Sequence, residues 1–398
     1  MRILHVSAYY APAFVYGGPP RSIHGLCRAL RGLGADVRVF TTDANGGGAL
    51  PAAVTSAGEY DGVPVTYFAR TWPRRLIGSR PLDVALREAL PTVDVLHVHG
   101  LWNRVVWSAT REARRAGVPY VLSPRGMLEA AALAHHGWRK RAAHAILERR
   151  TIHGAAVVHA TSEREAESVR HWRPDARVVL IPNGIDVDLS RTSAHTPAPT
   201  FSRADLGLPV EAPLVLFLGR LHPIKRVDLL VDAFTHLKTR HPGAALVIAG
   251  PDEFELRASL TTRAGAAAGS IVWMGPVDAE QRDSLLRHAS ALVSCSDSES
   301  FGMSVLEAMA AAVPVVVTKT CGWPDVQTHR AGFIVDQRAD AIAGALAAIL
   351  EDPQAAVAMG TRACDLTRST YRWEAIATTF MREYDSLATG RPRTALAS

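Results

Sequence analysis

The stretch SESFGMSVLEAMAAAVPVV, residues 298–316, sets two carboxylates, Glu299 and Glu307, eight residues apart around a Phe-Gly turn that leads into a helical pattern. Two kinds of chemistry fit that spacing. In one, Ser304-x-x-Glu307 is a capping box with Ser304 as N-cap, and Glu299 is an ordinary loop acid. In the other, the helix starts near Gly302, and the free N–H groups of Phe301, Gly302 and Met303 face an anion. Glu307, one turn in, would then accept hydrogen bonds from a ribose, and Glu299 from the hydroxyls of a sugar. Local propensity does not separate the two.

Other polar residues stand where apolar runs end. GRLHPIKR, residues 219–226, carries Arg220 and Lys225 across a Pro-containing loop, a spacing that lets both cations converge on one diphosphate. HVHGLW sets His97 and His99 on one face of a strand end, because strand side chains repeat every two residues. They read as a metal pair with no third ligand near in sequence, or as one cleft-exposed histidine bonding a polar substrate. His99, nearer the strand end, is the choice. In SPRGML, Arg125 is placed to meet an anion or a hydroxyl-rich ligand. In AYYAPAFVYGGPPRS, Gly17 and Gly18 precede a helix beginning near Pro20, a plausible phosphate cradle whose spacing matches neither G-x-G-x-x-G nor a Walker A loop. The DVD at 186–188 follows IPNG at the mouth of a linker, so it is not read as a metal-binding D-x-D.

The elements that must position these residues alternate along the whole chain. Near-continuous apolar runs (2–9, 36–42, 63–69, 93–100, 119–124, 155–161 and 178–184) recur after residue 210 at 214–220, 245–250, 271–275, 291–296, 314–319 and 332–336. Such runs suit parallel strands covered on both faces. Helical patterns at 21–31, 227–240, 280–289 and 340–351 lie between them. Residues 186–213, rich in Ser, Thr, Pro and Ala, separate the two series. The expected architecture is α/β: two doubly wound domains of about 190 residues, with the ligand in the cleft between them.

Composition narrows the class. Of 398 residues, 48% are hydrophobic and 21% charged, as in ordinary globular proteins. The N-terminus lacks the apolar region of a signal peptide, and no run approaches the roughly 20 residues that span a bilayer. Cys27, Cys295, Cys321 and Cys364 are scattered, which fits buried small hydrophobes in a reducing, cytoplasmic setting. Residues 1–190 hold 24 Lys/Arg against 16 Asp/Glu, whereas 191–398 hold 20 against 22. A surplus confined to one half points to an anionic partner for that half. RTWPRRLIGSR (70–80) and HHGWRKRAAHAILERR (135–150) mix cations with Trp, Leu and Ile as interfacial segments do. An anionic membrane surface is therefore an expected partner, with a peripheral location on the inner face of the plasma membrane. Nucleic acid is not expected.

In order and spacing, the GG at 17–18, HVHG at 97–100, PRGML at 124–128, IPNGID at 181–186, GRLHPIK at 219–225 and ESFGMSVLE at 299–307 resemble the retaining glycosyltransferases of the GT-B fold, the GT4 family. The resemblance spans nearly the whole chain, and the E-x7-E motif is its most specific part. It implies an N-terminal acceptor-binding domain (1–190), a linker (191–212), a nucleotide-sugar-binding domain (213–372) and a helix (373–390) crossing back to the first domain. It implies that Arg220 and Lys225 hold the donor diphosphate, Glu307 the ribose and Glu299 the transferred sugar, beside the amides of Phe301, Gly302 and Met303. Pro276 and Val277 would meet the base, His99 the sugar, and Gly17 and Gly18 the phosphates, with Arg125 also in the donor site. No metal is implied, since fixed cations and helix N-termini stabilise the leaving diphosphate. The donor is expected to be GDP-mannose or a UDP-sugar. The acceptor is expected to be a saccharide, such as one linked to a polyprenyl diphosphate, in cell-surface polysaccharide or glycolipid assembly. A sugar-nucleotide epimerase and a non-catalytic nucleotide-sugar-binding protein share these motifs. A dehydrogenase would need the glycine fingerprint that the chain lacks.

Overall fold

The computed structural model describes residues 1–71, 76–129, 148–186, 201–205, 207–209 and 211–389. Most of the basic stretch at 135–150, residues 72–75 of the stretch at 70–80, and Val187 and Asp188 of the DVD lie outside the described residues. Two units divide the chain: Met1–Gly184 together with the C-terminal segment from Trp373, and Ile185–Arg372.

The first unit holds β1 (Arg2–Ser7), β2 (Asp36–Thr42), β3 (Val63–Phe68), β4 (Val95–His99), β5 (Tyr120–Ser123), β6 (Val157–Ala160) and β7 (Val178–Leu180). They form one parallel sheet in the order β7-β6-β5-β4-β1-β2-β3, with Glu59–Tyr60 pairing antiparallel at the β3 edge. The second unit holds β8 (Leu214–Leu218), β9 (Ala245–Ala249), β10 (Ile271–Gly275), β11 (Ala291–Ser294), β12 (Val315–Thr318) and β13 (Gly332–Val335). Its parallel sheet runs β10-β9-β8-β11-β12-β13. Strands such as β4, β5, β6, β9 and β12 are buried at every residue, which is why their sequences read as unbroken apolar runs. Each sheet reverses its winding once, between β1 and β4 and between β8 and β11. Chains leaving those strand pairs part to opposite faces, which opens a crevice at the C-terminal strand ends.

Four helices bear on the sites: α1 (Gly18–Gly32), α2 (Ala279–His288), α3 (Met303–Ala310) and α4 (Trp373–Thr389). In α4, Trp373, Ile376, Ala377, Phe380 and Tyr384 recur at helical spacing and are buried, so one stripe faces inward. That stripe belongs to the first unit's core, with Ile23, Leu26 and Leu30 of α1 and Val95, Val121 and Val157 of the sheet. The packing is close enough to dictate glycine on both sides of Trp373. A β-carbon on Gly25 or on Gly184 would lie 2.4 or 2.5 Å from the indole. In the second unit, α3 buries Val305, Leu306 and Met309 against one sheet face, while Val227–Arg240 and Ala339–Glu351 cover the other.

The described part of 201–212, placed in the linker on composition, folds onto the second unit. Leu208 is buried in its core, and the Phe201 N–H donates to Ser284 Oγ at 3.2 Å. Arg203 adds bonds to the carbonyls of Ala212 and His288 at 2.7 and 3.1 Å. A Pro- and Ala-rich composition does not reveal such anchors. Among the described residues, no single helix is long and apolar enough to cross a membrane.

Candidate functional site

In the second unit, Arg220, Lys225, Glu299, Phe301 and Gly302 sit on the two loops that leave the switch-point strands, Gly219–Arg226 after β8 and Cys295–Gly302 after β11. Backbone and side-chain bonds stitch these loops together. The Asp297 N–H donates to Ile224 O at 2.8 Å, and Arg226 reaches Asp297 at 3.2 Å and Asp228 at 3.1 Å. Arg226 holds positive φ, at 50°, to make both contacts. The stitching brings Lys225 Nζ onto Glu299 Oε1, which also accepts from Ser296 Oγ at 3.0 Å. Lys225 and Glu299 keep only 20% and 11% of their side-chain surface exposed, so their attraction is less screened than that of a surface pair. Arg220, expected to share one anion with Lys225, instead faces Glu253 at 3.0 Å in an exposed pair.

The helix after the second loop starts where the anion-facing reading puts it. Gly302 is the N-cap at φ 79°, no side chain caps α3, and the Ser304–Glu307 capping box is not formed. One does form at Asp278 and Gln281, which opens α2. Gly302 is required twice over: its φ is left-handed, and a β-carbon would lie 2.8 Å from Trp323 Nε1. The first-turn amides of Met303 and Ser304 have no acceptor within the helix. Phe301 contributes backbone alone to this end, because its ring is buried 5.0 Å from that of Trp323. Glu307 is buried, and its Oε1 accepts from Arg282 Nη1 of α2 at 3.2 Å. Pro276 is exposed just after β10, and Val277 packs on the core of this unit.

In the first unit, Gly17 takes φ 83° and α1 opens at Gly18, with prolines in its first turn. The Gly17 N–H is spent on Phe14 O at 2.9 Å, which leaves the first-turn amides of α1 as the cradle. The histidines differ from expectation. His99 is 2% exposed rather than open to solvent, and His97 is fully buried. The cause is the strand period. The face carrying His97 and His99 is the face that α4 covers, and the same register brings in His5 of β1, Ser123 of β5 and His159 of β6.

Burial holds all four imidazoles neutral. It lowers His5 and His159 to about 3, and His97 and His99 well below the usual histidine range. Their proton positions then follow from their partners. Ile181 O only accepts, so His159 Nε2 donates to it at 2.7 Å, and His159 Nδ1 accepts from Ser123 Oγ at 2.7 Å. Ser123 Oγ must then accept from His97 Nε2 at 2.7 Å, and His97 Nδ1 accepts from the Tyr384 hydroxyl of α4 at 2.6 Å. A second chain starts at Arg125, which only donates. Its Nη2 gives a hydrogen bond to His99 Nδ1 at 3.2 Å, so His99 Nε2 carries the proton and donates to His5 Nδ1 at 2.9 Å.

His5, His97 and His99 do bring one ring nitrogen each within 4.8 Å of the others, a possible cation site with a third ligand from a distant strand. In the wiring just described, the accepting nitrogens of all three rings already receive hydrogen bonds, and the Arg125 guanidinium abuts His99. The cluster is a hydrogen-bond relay. Arg125 itself is half-buried at φ 58° and held by neutral acceptors: His99, Asn183 Oδ1 at 2.8 Å and Ser22 Oγ at 3.4 Å. It makes no ion pair among the described residues. The carboxylate of Glu165 is spent on the N–H groups of Gly126 and Thr161, at 2.7 and 2.8 Å.

Sequence reasoning missed His5, Ser123, His159 and Tyr384. The available signal was register, since strand-end histidines two apart make any polar residue level with them on a neighbouring strand a candidate partner. It also missed Glu148, a buried acid whose Oε1 accepts from the Trp102 N–H and Trp107 Nε1 at 2.6 and 2.7 Å. Burial raises that carboxyl to about 7.

Comparison with known proteins adds a family to this geometry. The family described as "Glycosyl transferase 4-like domain" matches residues 17–184, and the one described as "Glycosyl transferases group 1" matches residues 200–365. A D-inositol 3-phosphate glycosyltransferase of Streptomyces scabiei is 31% identical over 369 residues, covering 84% of this chain and 79% of that protein. D-inositol 3-phosphate glycosyltransferase 2 of Catenulispora acidiphila is 30% identical over 390 residues, covering 91% and 88%. Among solved structures, HepE of Anabaena in complex with UDP-glucose shares 20% identity at a TM-score of 0.77, over 97% of this chain and 100% of that one. Sucrose-phosphate synthase of Thermosynechococcus elongatus shares 20% identity at a TM-score of 0.74, over 98% and 100%. At such identities the likeness is one of fold.

Proposed function

The chain belongs to the glycosyl transferases group 1 family and is a glycosyltransferase of the GT-B fold, and from that premise we propose that it transfers a sugar from a nucleoside-diphosphate sugar to an anionic acceptor, with retention of configuration and without a metal. The observation that carries this reading is the Lys225–Glu299 pair beside the uncapped start of α3. On this reading the donor diphosphate draws Lys225 away from Glu299. The phosphate takes the cation and the first-turn amides, and Glu299 is released to accept hydrogen bonds from the sugar hydroxyls. Arg220 adds a second cation, Glu307 binds the ribose, and Pro276 and Val277 meet the base. Positive charge fixed by the chain performs the electrostatic work a metal would do on the leaving group.

The acceptor is assigned to the first unit, with Arg125, expected from sequence in the donor site, as its anion contact. The names of the relatives, D-inositol 3-phosphate glycosyltransferases, support a phosphorylated polyol. The basic surplus of residues 1–190 supports that acceptor equally with a polyprenyl-diphosphate-linked saccharide at a membrane surface.

A thermal-shift panel of UDP, GDP and ADP tests the donor half, each with magnesium and with a chelator. One nucleotide is expected to raise the melting temperature equally in both conditions, because a ligand that binds only the folded state stabilises it. Stabilisation that vanishes with the chelator overturns the metal-free reading. Incubation of the matching sugar nucleotide with an inositol phosphate, and separately with a lipid-linked saccharide in anionic vesicles, then distinguishes the acceptors.

A further inference from the structure

The relay has two ends of unequal character. The chain through His97 terminates on a carbonyl, so each of its donors has an acceptor. The chain through His99 terminates on His5, whose Nδ1 accepts and whose Nε2 must therefore carry a proton. That Nε2 is fully buried and has no partner among the described residues. A buried donor left without an acceptor costs stability, and a protein that only needed to fill this space would use an apolar residue. Leu, Val or Ile would fit the apolar run of β1, where the flanking Leu4 and Val6 already sit. The orphan proton is what the wiring costs, and the wiring delivers a lone pair on His99 Nδ1 directed at Arg125.

We propose that His5 is a positioning residue: by accepting the His99 Nε2 proton, it fixes His99 in the tautomer that holds the Arg125 guanidinium through a neutral acceptor. The consequence is electrostatic. A carboxylate in the place of His99 would hold Arg125 as firmly and would cancel its charge. A neutral imidazole orients the fork without forming an ion pair with it, so the guanidinium stays open to an incoming anion, with Glu165 acting on it only at a distance. The lone pair exists only in one of the two neutral tautomers. In the other, His99 Nδ1–H would confront Arg125 N–H, donor against donor. His5 is the only partner of the opposite nitrogen among the described residues, so it supplies the second clamp on this choice. Asn183 and Ser22 fix the other guanidinium nitrogen. This inference rests on the reading of Arg125 as the anion contact, although the tautomer itself does not.

Nitrogen chemical shifts of the histidine rings in the unliganded wild-type protein test the wiring without any activity assay. His99 is expected to show an unprotonated Nδ1 with a protonated Nε2, and His5 the same pattern. A protonated His99 Nδ1 overturns the proposal outright. In His5→Leu, the His99 signals are expected to become a tautomer mixture, and KM for the anionic acceptor to rise about tenfold, as for one lost hydrogen bond to a charged group, with kcat moving less. His5→Asn, whose side-chain oxygen can replace Nδ1 as acceptor, is expected to restore the single tautomer and most of the affinity. An unchanged tautomer and KM in His5→Leu overturns the proposal. A mixed tautomer with unchanged acceptor KM shows instead that the assignment of Arg125 to an anion is wrong, and the positioning role falls with it.

Discussion

The two units wind their first six parallel strands in the same order and place their polar residues at the same topological position, yet they fill it with opposite chemistry. At β8 and β11 the loops are joined by charge: Arg226 to Asp297 and Asp228, and Lys225 to Glu299. At β1 and β4 the strands themselves are joined by neutral imidazoles, His5 to His99, deep in the sheet. The difference lies in what each site holds at rest. In the second unit the cation is already neutralised, and an arriving diphosphate has to compete with Glu299 for it. In the first unit the cation is hydrogen-bonded by neutral groups, and an arriving anion has no ion-paired carboxylate to displace. On the proposed reading, the first arrangement couples donor binding to the release of a carboxylate. The second keeps a standing affinity for the acceptor.

The sharpest way to break this comparison is to remove the carboxylate that Lys225 neutralises. Glu299→Ala is expected to lower turnover by about 10²–10³-fold, the scale of one lost electrostatic contact to a transition state. Nucleoside diphosphate should still bind, and more tightly than in the wild type, because Lys225 no longer has a competitor. Parallel measurement of kcat and of nucleotide Kd checks both. Equal losses in the two would return Glu299 to a structural role.

The pH dependence of unfolding of the first unit sharpens the other half. The folded histidines do not take up the protons that the unfolded chain binds below its histidine pKa of 6.5, so stability falls as pH drops. Between pH 7 and 5, His5 and His159 each remove about 2 kcal/mol, and the loss continues toward their folded pKa values. Glu148 acts in the opposite direction. Its folded carboxyl is protonated below about 7 and its unfolded one only below 4.5, so acidification from pH 7 to 5 returns about 2 kcal/mol. Denaturant titrations should therefore show a steeper acid loss in Glu148→Gln than in the wild type. A flat profile in Glu148→Gln would show that the relay takes up protons rather than staying neutral.

The sequence carried these two regions to different depths. The sheets were legible because strands covered on both faces leave unbroken apolar runs, and βαβ alternation made them parallel and doubly wound, while the strand order came only from the structure. Arg220, Lys225 and Glu299 on the loops, and Glu307 one turn into α3, were legible as candidates because cations and carboxylates stand out where apolar runs end. The start of α3 was ambiguous, since Ser304 and Glu307 satisfy a capping box on paper. The conflict was settled by Gly302, whose positive φ and contact with Trp323 are tertiary facts. The histidine relay was half legible. His97 and His99 share a face by the period of two, but His5 and His159 lie 92 and 62 residues from His97, and only β-sheet register sets His5 level with His97 and His159 beside Ser123. Exposure was misjudged for the same reason: the helix that covers this face comes from the other end of the chain.

Smaller effects divide the carboxylates of the second unit further. Glu307→Ala is expected to weaken nucleotide binding about tenfold, the loss of a bidentate or charge-assisted contact to a ribose, with little change in turnover at saturation. Arg282 would be left buried beside Asp283 alone, so a stability measurement has to accompany the binding curve. A drop in melting temperature without a change in Kd would assign Glu307 to the packing of α2 against α3 rather than to a ligand.

The smallest expected effect concerns Arg220, whose partner Glu253 is exposed and loosely held. Pairs of this kind contribute about 0.2–1 kcal/mol to stability, so Arg220→Ala should unfold within about 1 kcal/mol of the wild type. Its effect on the donor is expected to exceed its effect on the fold, because a diphosphate offers the guanidinium a bidentate partner that Glu253 must give up. Raising the salt concentration separates the two contributions. The Arg220–Glu253 pair is screened in the free protein, whereas a phosphate held between Arg220, Lys225 and the first turn of α3 is partly shielded. The ratio of nucleotide Kd for Arg220→Ala to that of the wild type should therefore stay above one in high salt. A ratio that falls to one would make Arg220 a long-range attractor of anions, and would leave Lys225 as the cation in contact with the donor.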